Sequence, residues 1–504
     1  MGNPIIQANF GSESNLKDRV ANRPKLTRRG VLSSAAATAG LVGVPQLSFA
    51  QTPDLIDVVT RRVRDIVGGR SVTLRLLMPN GSGGNVAPVV AAFAKMTGVA
   101  IETSETQVDE MNTELTLDAL SNSQKYDVAL PATFGLPDLV QAGAIRPITD
   151  FAAQYEPSGF RDDILFGVGD TYDDEIYGFQ TDGDAYVMFY NKRMLQNPSE
   201  ADRYADLYGI PLEIARTWEE LDRQMAFFNR PDDGMWGGLL FRTAGYLSWE
   251  WWMRFHAKGV WPFTPDMTPQ IASDQGIAAL EEMIAATAHL APETGMLGLF
   301  ENWERFGRGD VFCNIGWGGT QKYLMGPASA MRDNMVYGQT PGGVVNGVPI
   351  NVPYFNWGWN YVVTQNARNA ELAYLFTLFA ATSEMSTLAV QQTDGFFDPF
   401  RPEHYSDRRI ETVYSPEFLD IHRASMVAAI PDLYLRNQGE YFRVLTEWLS
   451  RALRGDATPK EALQRAASQW LLITNSVDRS QQAVRWNRLR GKYPAELRAQ
   501  LQDL

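Results

Sequence analysis

Gly307–Tyr323 reads GRGDVFCNIGWGGTQKY, and the fold is decided there. A helix is expected to end near Phe306, with a turn over Gly307–Asp310. The apolar run Val311, Phe312, Cys313 and Ile315 that follows has the length of a buried strand. It stops on Gly316-Trp317-Gly318-Gly319, where glycines allow a sharp turn and leave Trp317 at a strand end. Ligands of open α/β sheets sit beyond the carboxyl ends of the strands. Two readings of Trp317 therefore stand: a flat platform for a small ligand, or a core indole at a sheet edge.

Working outward, Val72, Leu74, Leu76 and Met78 alternate as a strand that ends on Pro79-Asn80-Gly81-Ser82-Gly83-Gly84. An apolar helical stripe (Val86, Val89, Val90, Phe93, Ala94) closes at Gly98, and a second strand is expected from Val99 to Thr103. Strand, glycine loop, helix and strand make a βαβ unit. The loop is neither GxGxxG nor a P-loop. A helix over Val108–Ser121 leads to a third buried strand in Lys125–Leu130, then to a helix over Leu136–Ala142 capped by Gly143. Tyr186–Phe189 reads as another strand. Acidic residues crowd 162–184, among them Asp170, Asp173, Asp174 and Glu175, without the alternate spacing of a calcium loop, so a solvated acidic turn is expected.

The chain has 504 residues, 45% hydrophobic and 21% charged, which suits a globular protein of two or more lobes. No run of eighteen apolar residues follows residue 51, so no membrane insertion is expected. The first fifty residues differ. Lys17, Arg19, Arg23 and Lys25 precede Thr27-Arg28-Arg29-Gly30-Val31-Leu32, an Ala/Gly-rich apolar segment runs from Ala35 to Val44, and Ser48-Phe49-Ala50 offers small residues for cleavage. Residues 1–50 read as a twin-arginine signal peptide cut before Gln51, although Val31 and Ser33 stand where that pattern favours Phe and Lys. The expected location is the periplasm. Arg28→Lys with Arg29→Lys is expected to leave precursor in the cytoplasm; normal periplasmic yield of mature protein from that variant would overturn the assignment. Residues 1–50 carry net +4, leaving −18 on the rest, which argues against nucleic acid and anionic membranes as partners. Cys313 is the only cysteine, so no internal disulfide forms, and it reads as a buried small hydrophobe.

Seven segments then occur in a consistent order. They are YDVALPATFGLPDLVQAGAIRPITDF, IYGFQTDGDAYVMFYNKRML, RTWEELDRQM, GDVFCNIGWGG, FNWGWNYVVTQNARNAELAYLFTLFAATSE, GFFDPFR and GDATPKEAL. Together, from about Ser71 to Trp470, they resemble the bacterial extracellular solute-binding proteins of family 1, the capture subunits of ABC importers. The resemblance implies an α/β fold of two lobes, the type II periplasmic binding protein, closing as a hinged trap with crossing hinge strands. It implies lobe one over 51–180 plus 342–393 and lobe two over 192–335 plus 403–504. The crossings fall at 177–191, 336–341 and 394–402. The helix at 54–67 and the tail Val477–Leu504 lie outside the family pattern and are expected to pack on one lobe.

The same resemblance implies a ligand, an inner-membrane ABC permease as partner, a monomer, and neither cofactor nor metal. Trp317 stands where the family carries a stacking aromatic. Trp357 and Trp359 flank Gly358 where a Gly-Gly-Trp ligand contact is common, with Asn356 replacing one glycine. In SWEWWMRF, Trp249, Trp251 and Trp252 cannot all face inward on one helix, and Trp252 is taken as the one reaching the cleft. Sugars offer a C–H face to aromatics and a rim of hydroxyls to polar groups. Rim candidates are Asn80, Ser82, Asp182, Asp184, Asn356, Asn360 and Arg401. His256, His289, His404 and His422 show no HExxH or other metal spacing, and no GxSxG occurs, so an enzyme is not expected. Three functions remain: capture of a carbohydrate or polyol, capture of a polyamine or other cation by Asp182, Asp184 and Trp walls, and a secreted carbohydrate-active enzyme.

Overall fold

The computed structural model describes residues 54–504. The signal segment read in 1–50 lies outside them. Two sheets organise the chain. The first has order β2-β1-β3-β13-β6, built from β1 (Thr73–Pro79), β2 (Ala100–Thr106), β3 (Val128–Ala129), β6 (Gly178–Gln180) and β13 (Asn360–Val363). The alternating run 72–78 pairs in parallel with β2, from Thr73 opposite Ala100 to Pro79 opposite Thr106, with the helix Gly83–Thr97 as the crossover. β2 is longer than the run Val99–Thr103 because Ser104, Glu105 and Thr106 stay in the ladder opposite Leu77, Met78 and Pro79. Between β3 and β6, β4 (Thr171–Tyr172) and β5 (Glu175–Ile176) form a hairpin of their own.

The second sheet has order β10-β7-β9-β8, from β7 (Val187–Asn191), β8 (Trp236–Leu239), β9 (Val311–Gly316) and β10 (Met335–Gln339). Every residue of β7 and β9 is buried, so these apolar runs are central strands covered on both faces. β9 is the run 311–315 of the quoted stretch. Past it, Gly318–Leu324 is a helix, with Trp317 extended at its start (φ −120°, ψ −174°).

The passages between the sheets differ in part from the expected crossings. One runs through 181–186, between β6 and β7. Residues 336–341 do not cross: Met335–Gln339 pairs antiparallel with Asn191–Val187. Nor do 342–350 join the first sheet's unit. β11 (Gly343–Val345) and β12 (Val348–Ile350) form a hairpin against 216–218 and 257–259, where Gly342 N donates to Arg216 O at 2.8 Å. The chain returns through 351–359, beside the first passage, with Tyr186 N donating to Tyr354 O at 2.9 Å. The third passage follows the helix Ser383–Val390 over 391–402.

Both extra segments pack as helices. Leu55–Val67 lies on Ala370–Ala380 and Gly83–Thr97, beside the first sheet, and Arg62 Nη2 pairs with Glu371 Oε1 at 2.8 Å. The tail forms Arg479–Arg490 and Ala495–Arg498, with Trp486 fully buried against Trp261 and Phe263. Among the described residues no single helix is long and apolar enough to cross a membrane.

Candidate ligand-binding cleft

A cavity of about 240 Å³ lies where the strands of both sheets end. Asn80 follows β1, Gln107 and Val108 follow β2, and Trp317 follows β9, so the carboxyl-end rule places them together. Phe300 and Trp303 come from the helix Leu299–Phe306, Asp184 and Trp357 from the first two passages, and Phe396 from the third. Units on both sides and all three passages thus contribute walls.

Trp317 combines its two readings. It is 4% exposed, and its ring stacks on Tyr186 with centroids 4.6 Å apart, as a core indole would. Yet it lines the cavity, standing perpendicular to Trp357 at 5.5 Å. Trp317 Nε1 donates to Asn356 Oδ1 at 3.1 Å, which fixes the ring. The flanking glycines act differently from a turn. Gly318 does not adopt a positive φ; a Cβ there would lie 2.3 Å from Asp398 Oδ1, and its N–H donates to Asp398 Oδ2 at 2.6 Å. Gly318 is needed for close approach. Gly358, between Trp357 and Trp359, does need the left-handed region, with φ 69°.

Beneath the aromatics sits a buried ionisable group. Asp182, Asp184 and Asp398 each present an oxygen within 4.8 Å of the others. Asp182 Oδ1 accepts from Gly183 N (2.7 Å) and Asp398 N (2.5 Å), and Asp184 Oδ2 accepts from Gly358 N (3.2 Å). Tyr414 Oη donates to Asp398 Oδ1 at 2.7 Å. Burial, then repulsion from Asp398, holds the Asp182 carboxyl well above the carboxylate range; burial, then Asp182 and Asp398, does the same to Asp184. The Lys322 ammonium is buried nearby, donating to Phe397 O at 2.9 Å. Desolvation lowers its pKa to about 8 against the pull of Asp398, Asp182, Asp184 and Asp394. Oxygen ligands suit a hard cation. Here, however, four of the six carboxylate oxygens already accept from N–H or O–H donors, and Lys322 offsets charge. The arrangement ties the first and third passages to the start of the helix Gly318–Leu324.

The other expected rim residues separate. Asn80 is exposed at the cavity. Ser82 does not reach it: its hydroxyl donates to Pro79 O at 2.7 Å at the start of the helix Gly83–Thr97. Asn356 acts through Trp317. Asn360 is held inside the first unit, its Nδ2 donating to Asp170 Oδ1 at 2.6 Å and its Oδ1 accepting from Thr133 Oγ1 at 2.5 Å. Arg401 is also a correction. It pairs with Asp163 and donates to Ala381 O at 2.6 Å, buried against Phe160 and Phe400. Trp252 is wholly buried against Phe442 and Trp470, away from the cavity. Its neighbour Trp249 takes the place expected of it, 5.3 Å from Trp357 and 6.2 Å from Trp317. Tyr246, Trp303 and Phe396 are not marked by the sequence patterns; for Phe396 the available signal is its place in the GFFDPFR segment, two positions before Asp398.

The family model for bacterial extracellular solute-binding proteins matches residues 89–412. The chain belongs to this family. Solved structures agree on the two-lobed α/β fold of periplasmic binding proteins. A solute-binding protein of Agrobacterium radiobacter K84, in complex with ribitol, is 18% identical with a TM-score of 0.66, over 79% of this chain and 98% of that one. Maltose-bound MalE3 of T. maritima is 15% identical with a TM-score of 0.67, over 80% and 100%. An Agrobacterium vitis S4 solute-binding protein with bound D-mannitol is 17% identical with a TM-score of 0.65, over 81% and 99%. No curated protein sequence matches. As a solute-binding protein, the chain works by capture, and the aromatic cavity between the sheets is the candidate site for it.

Proposed function

We propose that this solute-binding protein is the periplasmic component of an ABC importer and captures a single-ring sugar or a short polyol, which it hands to an inner-membrane permease. The observation that carries this is the size and lining of the cavity. About 240 Å³ lies below the roughly 300–1,000 Å³ of sites for drug-sized ligands. That size suits one ring or a short chain better than an oligosaccharide. The walls are indole and phenyl faces suited to C–H groups. The indole N–H groups of Trp303 and Trp357 are buried without a protein partner, leaving two donors for ligand hydroxyl oxygens. Asp184 supplies a polar edge. The ribitol and D-mannitol complexes of similar folds support the same class. A polyamine is served less well, because burial holds the Asp182 and Asp184 carboxyls well above the carboxylate range and Lys322 is buried among them, both of which weaken the negative charge that a cation needs.

The lobes in this reading are the two sheet units, and the passages at 181–186, 351–359 and 391–402 are the hinge. A thermal-shift screen of ribitol, D-mannitol, D-tagatose, maltose and putrescine on protein beginning at Gln51 tests it. A raised melting temperature with polyols or monosaccharides is expected, and with it a smaller radius of gyration by small-angle scattering as the lobes close. A shift with putrescine alone, or with maltose alone, would overturn the ligand class.

A further inference from the structure

Two features of the chain take no part in the cavity: the acidic turn at Asp173 and Asp174, and the basic tail after Val477. They meet each other. The hairpin β4–β5 turns on Asp173 and Asp174, with φ of 50° and 68°. Both central residues of this two-residue turn are left-handed, the backbone of a tight hairpin turn. The hairpin is anchored to the first sheet's unit, where Ile148 N donates to Ile176 O at 2.7 Å just before β6.

Facing it is the helix Arg479–Arg490. Arg485 grips Asp173 with two parallel bonds, Nε to Oδ1 at 2.7 Å and Nη2 to Oδ2 at 2.6 Å, and its guanidinium lies 5.6 Å from the Tyr172 ring. Arg488 Nη1 lies 3.0 Å from Asp174 Oδ2. This helix is fixed to the other unit. Trp486 Nε1 donates to Phe263 O at 3.2 Å, Asn487 Nδ2 donates to Pro265 O at 2.8 Å, and Phe263 stacks on Trp470 at 5.0 Å. The helix Pro459–Ser476, which carries Trp470, packs against Asp274–Thr287, and that helix in turn packs on Trp218–Phe228 beside β8.

We propose that the helix Arg479–Arg490 is an electrostatic strap that joins the two lobes and holds ligand-free protein toward the closed form. The proposal rests on the two-lobed hinge described above, not on the identity of the ligand. Arg485 dominates: its side chain is 16% exposed and its contact is bidentate, whereas Arg488 and Asp174 are 54% and 77% exposed, in the range where ion pairs contribute little. Salt acts directly on such a strap, because the screening length falls from about 10 Å at 0.1 M to about 3 Å at 1 M. Capture of an uncharged ligand then becomes sensitive to ionic strength although the ligand carries no charge.

The test uses spin-label distances in the ligand-free mature chain. Leu117→Cys and Leu207→Cys put labels on exposed helices of the two units, and the native Cys313 is buried and stays unlabelled. In 50 mM NaCl, Arg485→Ala with Arg488→Ala is expected to lower the ratio of short to long distances about fivefold, the scale of a favourable partly exposed ion pair. In 500 mM NaCl the parent protein should show the same change, and the double variant should show no further one. The swap Asp173→Arg with Arg485→Asp should restore the short distance in low salt. Identical distributions for parent and double variant in low salt would overturn the strap. So would a salt response that survives in the double variant, or one fixed distance in every sample. Each readout is free of ligand, so failure of the ligand screen leaves this result standing, and the reverse holds as well.

Discussion

Trp317→Ala is expected to weaken ligand binding about ten- to hundredfold and to lower the stability of the ligand-free protein as well. The affinity loss follows from removing one aromatic face of the cavity, a contact worth on the order of 1–3 kcal/mol. The stability loss follows from the other side of the same ring. Trp317 stacks on Tyr186 at 4.6 Å and bonds Asn356 at 3.1 Å, so truncation leaves a void and an unpaired amide oxygen. Full truncation of a core Trp costs on the order of 3–5 kcal/mol, and a ring with one side on a cavity should fall near the lower end. Trp252→Ala is the control. Trp252 is wholly buried between Phe442 and Trp470, so it should unfold early yet bind normally well below its melting temperature. Trp317→Phe should keep the Tyr186 stack and recover part of the affinity while leaving Asn356 without its donor. Unfolding curves and titrations with the best sugar or polyol from the screen, run on all three variants, separate the effects. Normal affinity in Trp317→Ala would remove Trp317 from the site.

Local signals reached as far as local causes extend. The alternation at 72–78 and the apolar run at 311–315 became strands because side-chain period and burial are written into neighbouring residues. Trp317 at a strand end was legible from its glycines, but their cause was not. Gly318 yields space to Asp398, eighty positions away, and no local pattern contains that contact. The same limit explains the crossing misplaced at 336–341. Pro341-Gly342-Gly343 does mark a break, yet Gly342 lies against the hairpin's own far end at Ile350 and Gly343 against the backbone at Ala257, neither leaving room for a Cβ. A glycine pair announces close approach without naming the partner. Arg401 shows the reverse error, since a cationic side chain near a crossing suggested a hydroxyl ligand while Asp163 and Ala381 O take its donors.

Choosing Trp252 over Trp249 was a failure of polarity as a guide, and its cause leads to the second large effect. All ten residues of Leu247–His256 are buried, including Glu250 and Arg254, so no polar face marks which indole points to the cavity. The charges are compensated internally. Arg254 Nε donates to Glu250 Oε1 at 2.9 Å, Arg242 pairs with the same carboxylate, and Arg254 holds Asp222 through two bonds of 2.7 Å. Breaking such a buried network from one side costs about 3–5 kcal/mol, because the remaining charges are left unpaired. Glu250→Gln is therefore expected to be among the most destabilising substitutions in the chain at pH 7. It should also reduce affinity, since the residue beside it, Trp249, stands 5.3 Å from Trp357.

The pH dependence identifies the mechanism. Burial alone would raise the Glu250 carboxyl, but Arg242 and Arg254 more than offset it and hold the group below its ordinary value of 4.5. A depressed carboxyl contributes stability that is complete above the unfolded value and is lost as pH falls through the folded one. The gap between the parent protein and Glu250→Gln should thus be widest near neutrality and shrink below pH 4.5, where the parent becomes protonated too. Urea unfolding at pH 7 and at successive steps below pH 4.5 measures it. A gap that does not change with pH would assign the loss to packing alone. Replacing Asp222, Arg242, Glu250 and Arg254 together by apolar residues of similar volume should cost far less than Glu250→Gln, because it removes the network's charges as a set. If the fourfold replacement is instead the worse of the two, the network is a net stabiliser of the helix that carries Trp249, and the argument from unpaired charge fails.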